Sequence, residues 1–400
     1  MKVTEVRHAM HLGNMFKALW LVQGKKRIID TGAEAVLAAK GVSVVDPQKI
    51  LSPAYPCVKE VVELPPEPCC LPDWKLEVKS KPCYVITKLF APMVGMSQVQ
   101  LITNTVVHSS LPKTVLDCAT KNTEEEDEKV KEAILHAHLL DSHQEKLPKI
   151  LDVVNRPGWN DRREYGIPIR RRHKTVTYQL LVLLDQLVPG AAEKQLVEDT
   201  LTCVSLKHTG NLVQMNHEAA FILSSPKPLP QLADNAEIKS LEEEALPDIY
   251  PLSPFINCRA VNQYCLKDSY GIASRHLYPH TIFIHQNQPR MKGSEDHFAG
   301  ISLLHAFSHA AAYAKQVGEI ADGNLEKPVV VQVVHMNKQN VHMGVLQLNT
   351  LNLTGPTKNI FWTQSWEAFF SRCCFEAAQP RLEDYNPRVF QLLKGLHAQC

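Results

Sequence analysis

The chain has 400 residues, of which 44% are hydrophobic and 21% are charged. These fractions are close to those of ordinary globular proteins, so a wholly disordered chain is excluded and the length allows two or three domains. The formal net charge of +1 excludes a whole-chain attraction to nucleic acid, and an RNA partner would therefore have to bind a local basic patch.

The cysteines and the N-terminal segment bear on the compartment. The chain has 11 cysteines, with adjacent pairs at 69–70 and 373–374 and no Cys-x-x-Cys spacing. This pattern favours free or buried thiols in a reducing compartment over a disulfide framework or a zinc ribbon. Residues 1–27 contain Glu5 as their only acid, which resembles a mitochondrial presequence but also fits an ordinary basic helix. No apolar run reaches the roughly 20 residues of a membrane span.

The first part of the chain predicts an extended connector followed by strands and a helix. Residues 51–73 contain six prolines, which lack a backbone donor and prevent regular structure. Residues 81–90 and 98–108 are rich in β-branched residues and predict strands. Residues 123–145 predict a helix, because a threonine and a glutamate three apart form a capping box and acids fill the first turn.

The rest of the chain predicts longer elements. Residues 328–336 and 341–352 predict an antiparallel hairpin, because the polar connection between them is short. Phe369, Phe370 and Phe375, in a predicted tail helix, are candidates either for a partner interface or for core packing. We further predict helices at 175–187, 296–317, 363–377 and 387–398, a short capped helix beginning at Ser240 and ending before Pro247, and strands at 203–217, 219–223 and 278–285.

The sharpest chemical feature is the basic stretch at residues 156–174, with seven Arg and Lys residues against two acids. Its glycines and prolines predict an irregular loop. Arginine forks bind phosphate oxygens in pairs, and aromatic rings stack on unpaired bases. The alternative is a solvated loop, or one that pairs with the acids at 124–128. The predicted RNA-binding residues are Arg156, Trp159, Arg162, Arg163, Arg170, Arg171, Arg172 and Lys174.

Catalytic patterns are missing from the sequence. His305 and His309 have the spacing of a zinc-protease helix, but Ala306 stands where the catalytic glutamate would be. The sequence has no nucleophile elbow, no phosphate-binding P-loop and no dinucleotide fingerprint. Residues 328–353 contain no Asp or Glu, although a nuclease or hydrolase would normally place acids at the ends of its central strands. We therefore predict no catalytic residue, no metal, no cofactor and no small-molecule substrate.

Several short motifs carry a family resemblance. They lie at residues 18–21 (ALWL), 250–254 (YPLSP), 278–281 (YPHT), 328–332 (PVVVQ), 347–350 (QLNT) and 358–362 (KNIFW). In this order they resemble the family of mitochondrial ribosomal large-subunit protein thirty-seven and its paralogue, programmed cell death protein nine. The resemblance implies a non-enzymatic protein of the mitochondrial matrix. Its partners would be large-subunit rRNA and other mitoribosomal proteins, including the paralogous subunit as a heterodimer partner.

Pattern and resemblance together predict an α+β (mixed α/β) fold in three parts. Residues 1–80 form a helical and extended arm, residues 81–240 a mixed domain with the acidic helix and the basic loop, and residues 241–400 a β-hairpin and helix unit. The predicted function is that of a structural constituent of the mitochondrial large ribosomal subunit. Two alternatives are a degenerate or unrecognised nuclease-like α/β enzyme and a soluble adaptor without RNA contact.

Overall fold

The computed structural model describes residues 32–44, 83–88, 90–147, 165–188, 193–261, 268–272, 278–285, 294–318, 320–321 and 323–399. The chain divides into two compact units, Met1–Cys70 and Leu71–Cys400. In the first unit the structure describes helix α1 (Ala33–Ala39), which has no buried residue. The connector predicted at 51–73 lies outside the described residues.

The second unit is built on a large mixed sheet. The described strands of this unit are β1 (Cys83–Thr87), β2 (Thr105–His108), β3 (Glu145–Lys146), β4 (Tyr165–Gly166), β5 (Gln195–His208), β6 (Asn211–Ser225), β7 (Arg259–Val261), β8 (Tyr278–His285), β9 (Ile320–Ala321), β10 (Asn324–Asn337), β11 (Asn340–Thr350), β12 (Asn359–Thr363), β13 (Glu367–Ala368), β14 (Arg372–Glu376) and β15 (Gln379–Glu383). The helices that pack on it are α2 (Met96–Thr103), α3 (Lys113–Cys118), α4 (Glu124–Leu135), α5 (Ile169–Leu187), α6 (Asn235–Ser240), α7 (Glu295–Val317) and α8 (Pro387–His397).

Eleven of the described strands form one sheet, with the path order β2-β12-β11-β10-β8-β6-β1-β7. Strands β5, β9 and β13 pair with β6, β10 and β11 beside this path. The pairs β1–β6, β8–β10 and β2–β12 are parallel, whereas β5–β6, β6–β8, β10–β11 and β11–β12 are antiparallel. The predicted α+β fold is confirmed, and strands from both sides of residue 240 join this single sheet.

Helices cover both faces of the sheet, because successive strand residues point in opposite directions. Phe221 and Val334 pack into a cluster that also contains apolar residues of α4, α5 and α8. Their neighbours Ile222 and Val333 belong to a second cluster, shared with α2 and α7. The two faces of the sheet therefore line two separate hydrophobic cores, with α5 packed on one face and α7 on the other.

The central helix α7 is confirmed nearly as predicted. Glu295 and Asp296 lie in its first turn, where the helix dipole favours negative charge, and Gly318 ends it with a left-handed φ of 80°. Gly95 passes so close to α7 that a Cβ atom there would lie 1.8 Å from Asp296 Oδ2. In the native chain that same oxygen accepts a hydrogen bond of 3.0 Å from the Met96 amide.

Several other predicted elements are confirmed. Helix α4 begins with the expected capping box between Thr123 and Glu126, and the helix predicted at 387–398 is α8. The hairpin predicted from residues 328–352 is β10–β11. The strands expected at 203–217 and 219–223 form the long hairpin β5–β6. Their boundary was wrong, because the turn lies at Thr209 and Gly210, both with positive φ, and not near residue 218.

Two predicted elements were wrong, and a third was right only in part. Residues 98–108 are not one strand, because Asn104 takes a left-handed φ of 49° and ends α2 before β2 begins. Residues 363–377 are not helical: they belong to β12, β13 and β14, and the last of these pairs with β15. A short 3-10 helix, Leu241–Glu243, does follow Ser240, but the predicted side-chain cap is absent, since the Ser240 hydroxyl donates to the Glu237 carbonyl at the end of α6.

The three phenylalanines considered for a partner interface divide into two groups. Phe369 and Phe370 are buried in the core shared with α4, α5 and α8. Phe375 is 54% exposed, on β14. Core packing therefore accounts for two of them, and Phe375 lies in the β14–β15 ribbon where an amphipathic helix was predicted.

Candidate nucleic-acid interface

The described part of the predicted RNA-binding stretch is the start of helix α5. Pro168, with extended backbone, precedes the helix, which begins at Ile169. The prediction of an irregular loop as far as residue 174 was therefore wrong from residue 169 onward. The proline explains the error, because it fits the position just before a helix as well as a loop. Arg156, Trp159, Arg162 and Arg163 lie outside the described residues.

We call Arg170, Arg171, Arg172 and Lys174 the basic cluster. At about 100° per residue, Arg170 and Lys174 share one face of the helix, and Arg172 points away from it. The first turn of α5 contains no acid. Cations at a helix N-terminus are opposed by the helix dipole, so this arrangement needs compensating negative charge from elsewhere in the fold.

Arg171 receives that compensation from Asp141, just after the π-helical turn His136–Leu140 that follows α4. Its Nε donates to Asp141 Oδ2 at 2.5 Å, and Nη2 donates to Oδ1 at 3.1 Å. Asp141 is only 5% exposed, and the hydrogen bonds from Arg171 lower the pKa of its carboxyl. Because a buried carboxylate depends on it, Arg171 holds the two helices together and is a structural residue.

Arg172 is also turned toward the protein. The residue is half-buried, and its Nε has no hydrogen-bond partner among the described residues. Burial lowers the pKa of its guanidinium, in the direction expected for a cation taken out of water. Arg172 is thus poorly placed to meet a phosphate on the surface.

Arg170 and Lys174 have weaker, exposed partners on β5 and β6. Lys174 Nζ lies 2.7 Å from Glu198 and 2.9 Å from Asp199, and Arg170 Nη2 donates to Asp199 at 3.2 Å. Arg170 also lies 3.8 Å from Glu218. The hydrogen bond with Glu198 raises the pKa of Lys174, and the hydrogen bond from Lys174 lowers the pKa of Asp199. Lys174 therefore stays charged near neutral pH.

These side chains border an open cleft of about 610 Å³. Its lining consists of His143, Gln144, Glu145, Pro168, Arg170, Arg171, Lys174, Thr175 and Asp199. Tyr165, which is 70% exposed, lies on β4 just before α5. Tyr178, which is 50% exposed, is one helical turn beyond Lys174 on the same face. The surface therefore offers the exposed cation Arg170, the partly exposed cation Lys174 and two exposed aromatic rings.

The pairing that the sequence suggested as an alternative does not occur in the described residues. Among the acids at 124–128, Glu126 pairs with Lys394 on α8 at 2.8 Å. The acids that neutralise the basic cluster are instead Asp141, Glu198, Asp199 and Glu218. Those on β5 and β6 follow Lys174 by 24 to 44 residues, so no local sequence signal connects them to it.

The histidines singled out as metal candidates are core residues. His305 and His309 are buried on α7. His309 Nδ1 donates to the His305 carbonyl at 2.8 Å, and burial lowers the pKa of His309 to about 4. The described residues hold no group of three or more His, Cys, Asp or Glu side chains able to bind a metal ion. Of the helices in the described ranges, none combines the length and the apolar character required to cross a bilayer.

The fold and the basic cluster define an α+β protein whose candidate site is an open, charged surface. No protein-family model matches the chain. Large ribosomal subunit protein mL37 of Rattus norvegicus is 28% identical over 338 residues, which cover 80% of this chain and 75% of the rat protein. The mL37 proteins of Mus musculus and Bos taurus are 28% and 26% identical over 299 and 329 residues. Those alignments cover 72% and 78% of this chain and 66% and 73% of the relatives.

These relatives confirm the family resemblance that the short motifs indicated. The chain is similar to the mL37 proteins of the large ribosomal subunit over most of its length. The mitochondrial localisation expected from that resemblance is confirmed with it.

Proposed function

We propose that the protein is a non-enzymatic structural component of the mitochondrial large ribosomal subunit, where it binds rRNA and neighbouring ribosomal proteins. The similarity to mL37 over up to 80% of the chain carries this proposal. The alignment spans 338 residues, so the similarity extends far beyond any single short motif. The family resemblance also leads us to propose the paralogous subunit as a heterodimer partner.

Within the described residues, Arg170 and Lys174 are the pair we assign to rRNA phosphate. Their side chains are 60% and 32% exposed, and their acidic partners Asp199 and Glu198 are 43% and 48% exposed. Exposed ion pairs contribute roughly 0 to 1 kcal/mol each, so a phosphate can replace them at low cost. Tyr178 offers a ring on which an unpaired base can stack. Arg156, Trp159, Arg162 and Arg163 remain part of the proposed RNA-binding set.

Sedimentation tests the assembly directly. Mitochondrial lysate is separated on a magnesium-containing sucrose gradient, and the protein is detected in each fraction. We expect it to comigrate with the large subunit and to leave that position when magnesium is chelated. A peak near the top of the gradient in the presence of magnesium would contradict the proposal.

A matched pair of variants tests the basic cluster. Replacing Arg170 and Lys174 together with alanine should reduce incorporation into the large subunit without unfolding the protein. The control replaces Arg381 and Arg388, which are also exposed, with alanine. Arg381 has the same 60% side-chain exposure as Arg170 and one acidic partner, Glu376. Equal incorporation of both variants would remove Arg170 and Lys174 from the RNA contact. Arg171 is left unchanged, because its loss would strand the buried Asp141.

A further inference from the structure

The backbone of β5 is distorted at the residue that contacts both exposed cations. Asp199 has a left-handed φ of 48°, although it lies inside a strand. The pairing with β6 runs from Glu198 opposite Phe221 to Thr200 opposite Ala219 without a change of register, and the intervening pair, Asp199 and Ala220, is missing from the ladder. An L-residue in this conformation costs on the order of 1 kcal/mol, so the surrounding structure must hold it there.

The distortion has a clear geometric result. Successive side chains of a regular strand point to opposite faces of the sheet, so only one of two neighbours could reach a given partner. Here the carboxylates of Glu198 and Asp199 both lie within 2.9 Å of Lys174 Nζ. Asp199 also accepts a hydrogen bond from Arg170. The Asp199 carboxylate thus bridges the two cations, Glu198 adds a second carboxylate at Lys174, and Glu218 lies farther off, 3.8 Å from Arg170.

Carboxylate oxygens around Arg and Lys occupy the positions that phosphate oxygens take in charge-assisted contacts. The carboxylates of Asp199 and Glu198 are about half exposed, in contrast to Asp141, which is buried under Arg171. They can therefore turn into water when another anion arrives, whereas Asp141 cannot. The two kinds of pair lie side by side on the same helix turn, one fixed and one exchangeable.

We propose that Asp199, assisted by Glu198, is an internal competitor that occupies the phosphate position on Arg170 and Lys174, and that an RNA phosphate binds by displacing it. This inference rests on the proposed RNA contact of these two residues. The competitor lowers the affinity for any single phosphate. It therefore favours RNA surfaces that offer further contacts over free RNA, and it determines selectivity at this site.

The test measures binding of the full chain to a fluorescently labelled single-stranded RNA oligonucleotide by anisotropy at fixed ionic strength. Asp199→Asn removes the charge, keeps the size and tolerates the left-handed backbone. We expect about three- to tenfold tighter binding, because the phosphate no longer replaces two exposed ion pairs. Glu376→Gln is the control: it removes one exposed carboxylate from the ion pair with Arg381 on β14 and β15 and changes the net charge equally.

The outcomes distinguish a failure of the proposed role of Asp199 from a failure of the proposed RNA contact of Arg170 and Lys174. Equal gains in Asp199→Asn and Glu376→Gln would reduce the effect to net charge and overturn the inference. Weaker binding by Asp199→Asn would make Asp199 a positioning residue and overturn it as well. If Arg170→Ala with Lys174→Ala did not weaken binding by the otherwise native chain, the RNA contact would fail instead. Should Asp199→Asn not fold, Glu198→Gln provides the second variant, with a gain of the same sign and smaller size.

Discussion

Mild acid should unfold this protein, because its core contains an unusual number of neutral imidazoles. Among the described residues, eight histidines are at most 5% exposed: His173, His217, His280, His305, His309, His335, His342 and His397. Burial is the largest cause of a lowered pKa in all of them. The pKa values reach about 3 in His217, His280, His342 and His397 and about 4 in His173, His309 and His335.

The sign follows from the proton balance. As the pH falls through about 6.5 the unfolded chain binds protons at these histidines and the folded chain does not, so stability is complete only well above pH 6.5 and falls steadily until the pH reaches the folded pKa values. At pH 5.5 each histidine costs about 1.4 kcal/mol. Eight such groups remove on the order of 10 kcal/mol, comparable with the 5 to 15 kcal/mol that stabilises a typical domain. Protonation of His309 within the folded protein is unfavourable, because its Nε2 is buried and has no hydrogen-bond acceptor among the described residues.

Urea unfolding followed by circular dichroism at pH 7.5, 6.5 and 5.5 measures this effect. We expect a lower midpoint at pH 6.5 than at pH 7.5, because the unfolded imidazoles are about half protonated at their ordinary pKa, and a greatly reduced midpoint, or an unfolded chain, at pH 5.5. The variant His309→Gln should reduce the pH dependence by about one proton, or about 1.4 kcal/mol per pH unit below pH 6. Equal free energies of unfolding at pH 7.5 and 5.5 would refute the reasoning, because the buried imidazoles would then titrate as they do in the unfolded chain.

Two further predictions concern left-handed backbone positions. Gly95→Ala should cost about 2 to 4 kcal/mol in urea unfolding, since the new Cβ would displace Asp296; Gly210→Ala, with φ of 79° and no atom within 4 Å, should cost only about 1 kcal/mol. Equal costs would show that the contact with Asp296 is unimportant. Ala377 and Ala378 form the β14–β15 turn with φ of 48° and 64°, so replacing them with Asn and Gly should stabilise the protein by about 1 to 2 kcal/mol, seen as a higher Tm. An unchanged Tm would contradict a strained turn.

The elements that could be predicted from sequence are those whose signals are local and extended. Helix α7 has acids in its first turn, a long apolar pattern and a glycine directly after its end, so its start and end were predicted to within one residue. The β10–β11 hairpin combines two long β-branched runs with a short polar turn. In both cases the residue propensities, the hydrophobic pattern and the residues that end each element indicate the same structure, and no tertiary contact opposes it.

The elements that were missed depend on contacts from distant parts of the chain. Asn104 can end α2 because its side-chain amide donates to the Asn352, Gly355 and Thr357 carbonyls, about 250 residues away. Before the fold is known, the β-branched residues around Asn104 are equally compatible with one continuous strand. Residues 363–377 were assigned to a helix for a related reason, because their aromatic residues fit a helical stripe and a β-ribbon equally well.

The basic cluster illustrates the same limit at the level of function. The positive charge of the cluster is evident from the sequence. Whether its side chains can bind a phosphate depends on which acidic side chains the fold places beside them. Asp141 fixes Arg171, and Asp199 holds Arg170 and Lys174 loosely through a strand distortion that no composition rule predicts. Seven positive residues in a row of nineteen therefore do not amount to seven phosphate contacts. Within the described residues the fold leaves two of them, Arg170 and Lys174, able to exchange a carboxylate partner for a phosphate. Binding measurements on variants of these two residues test that exchange.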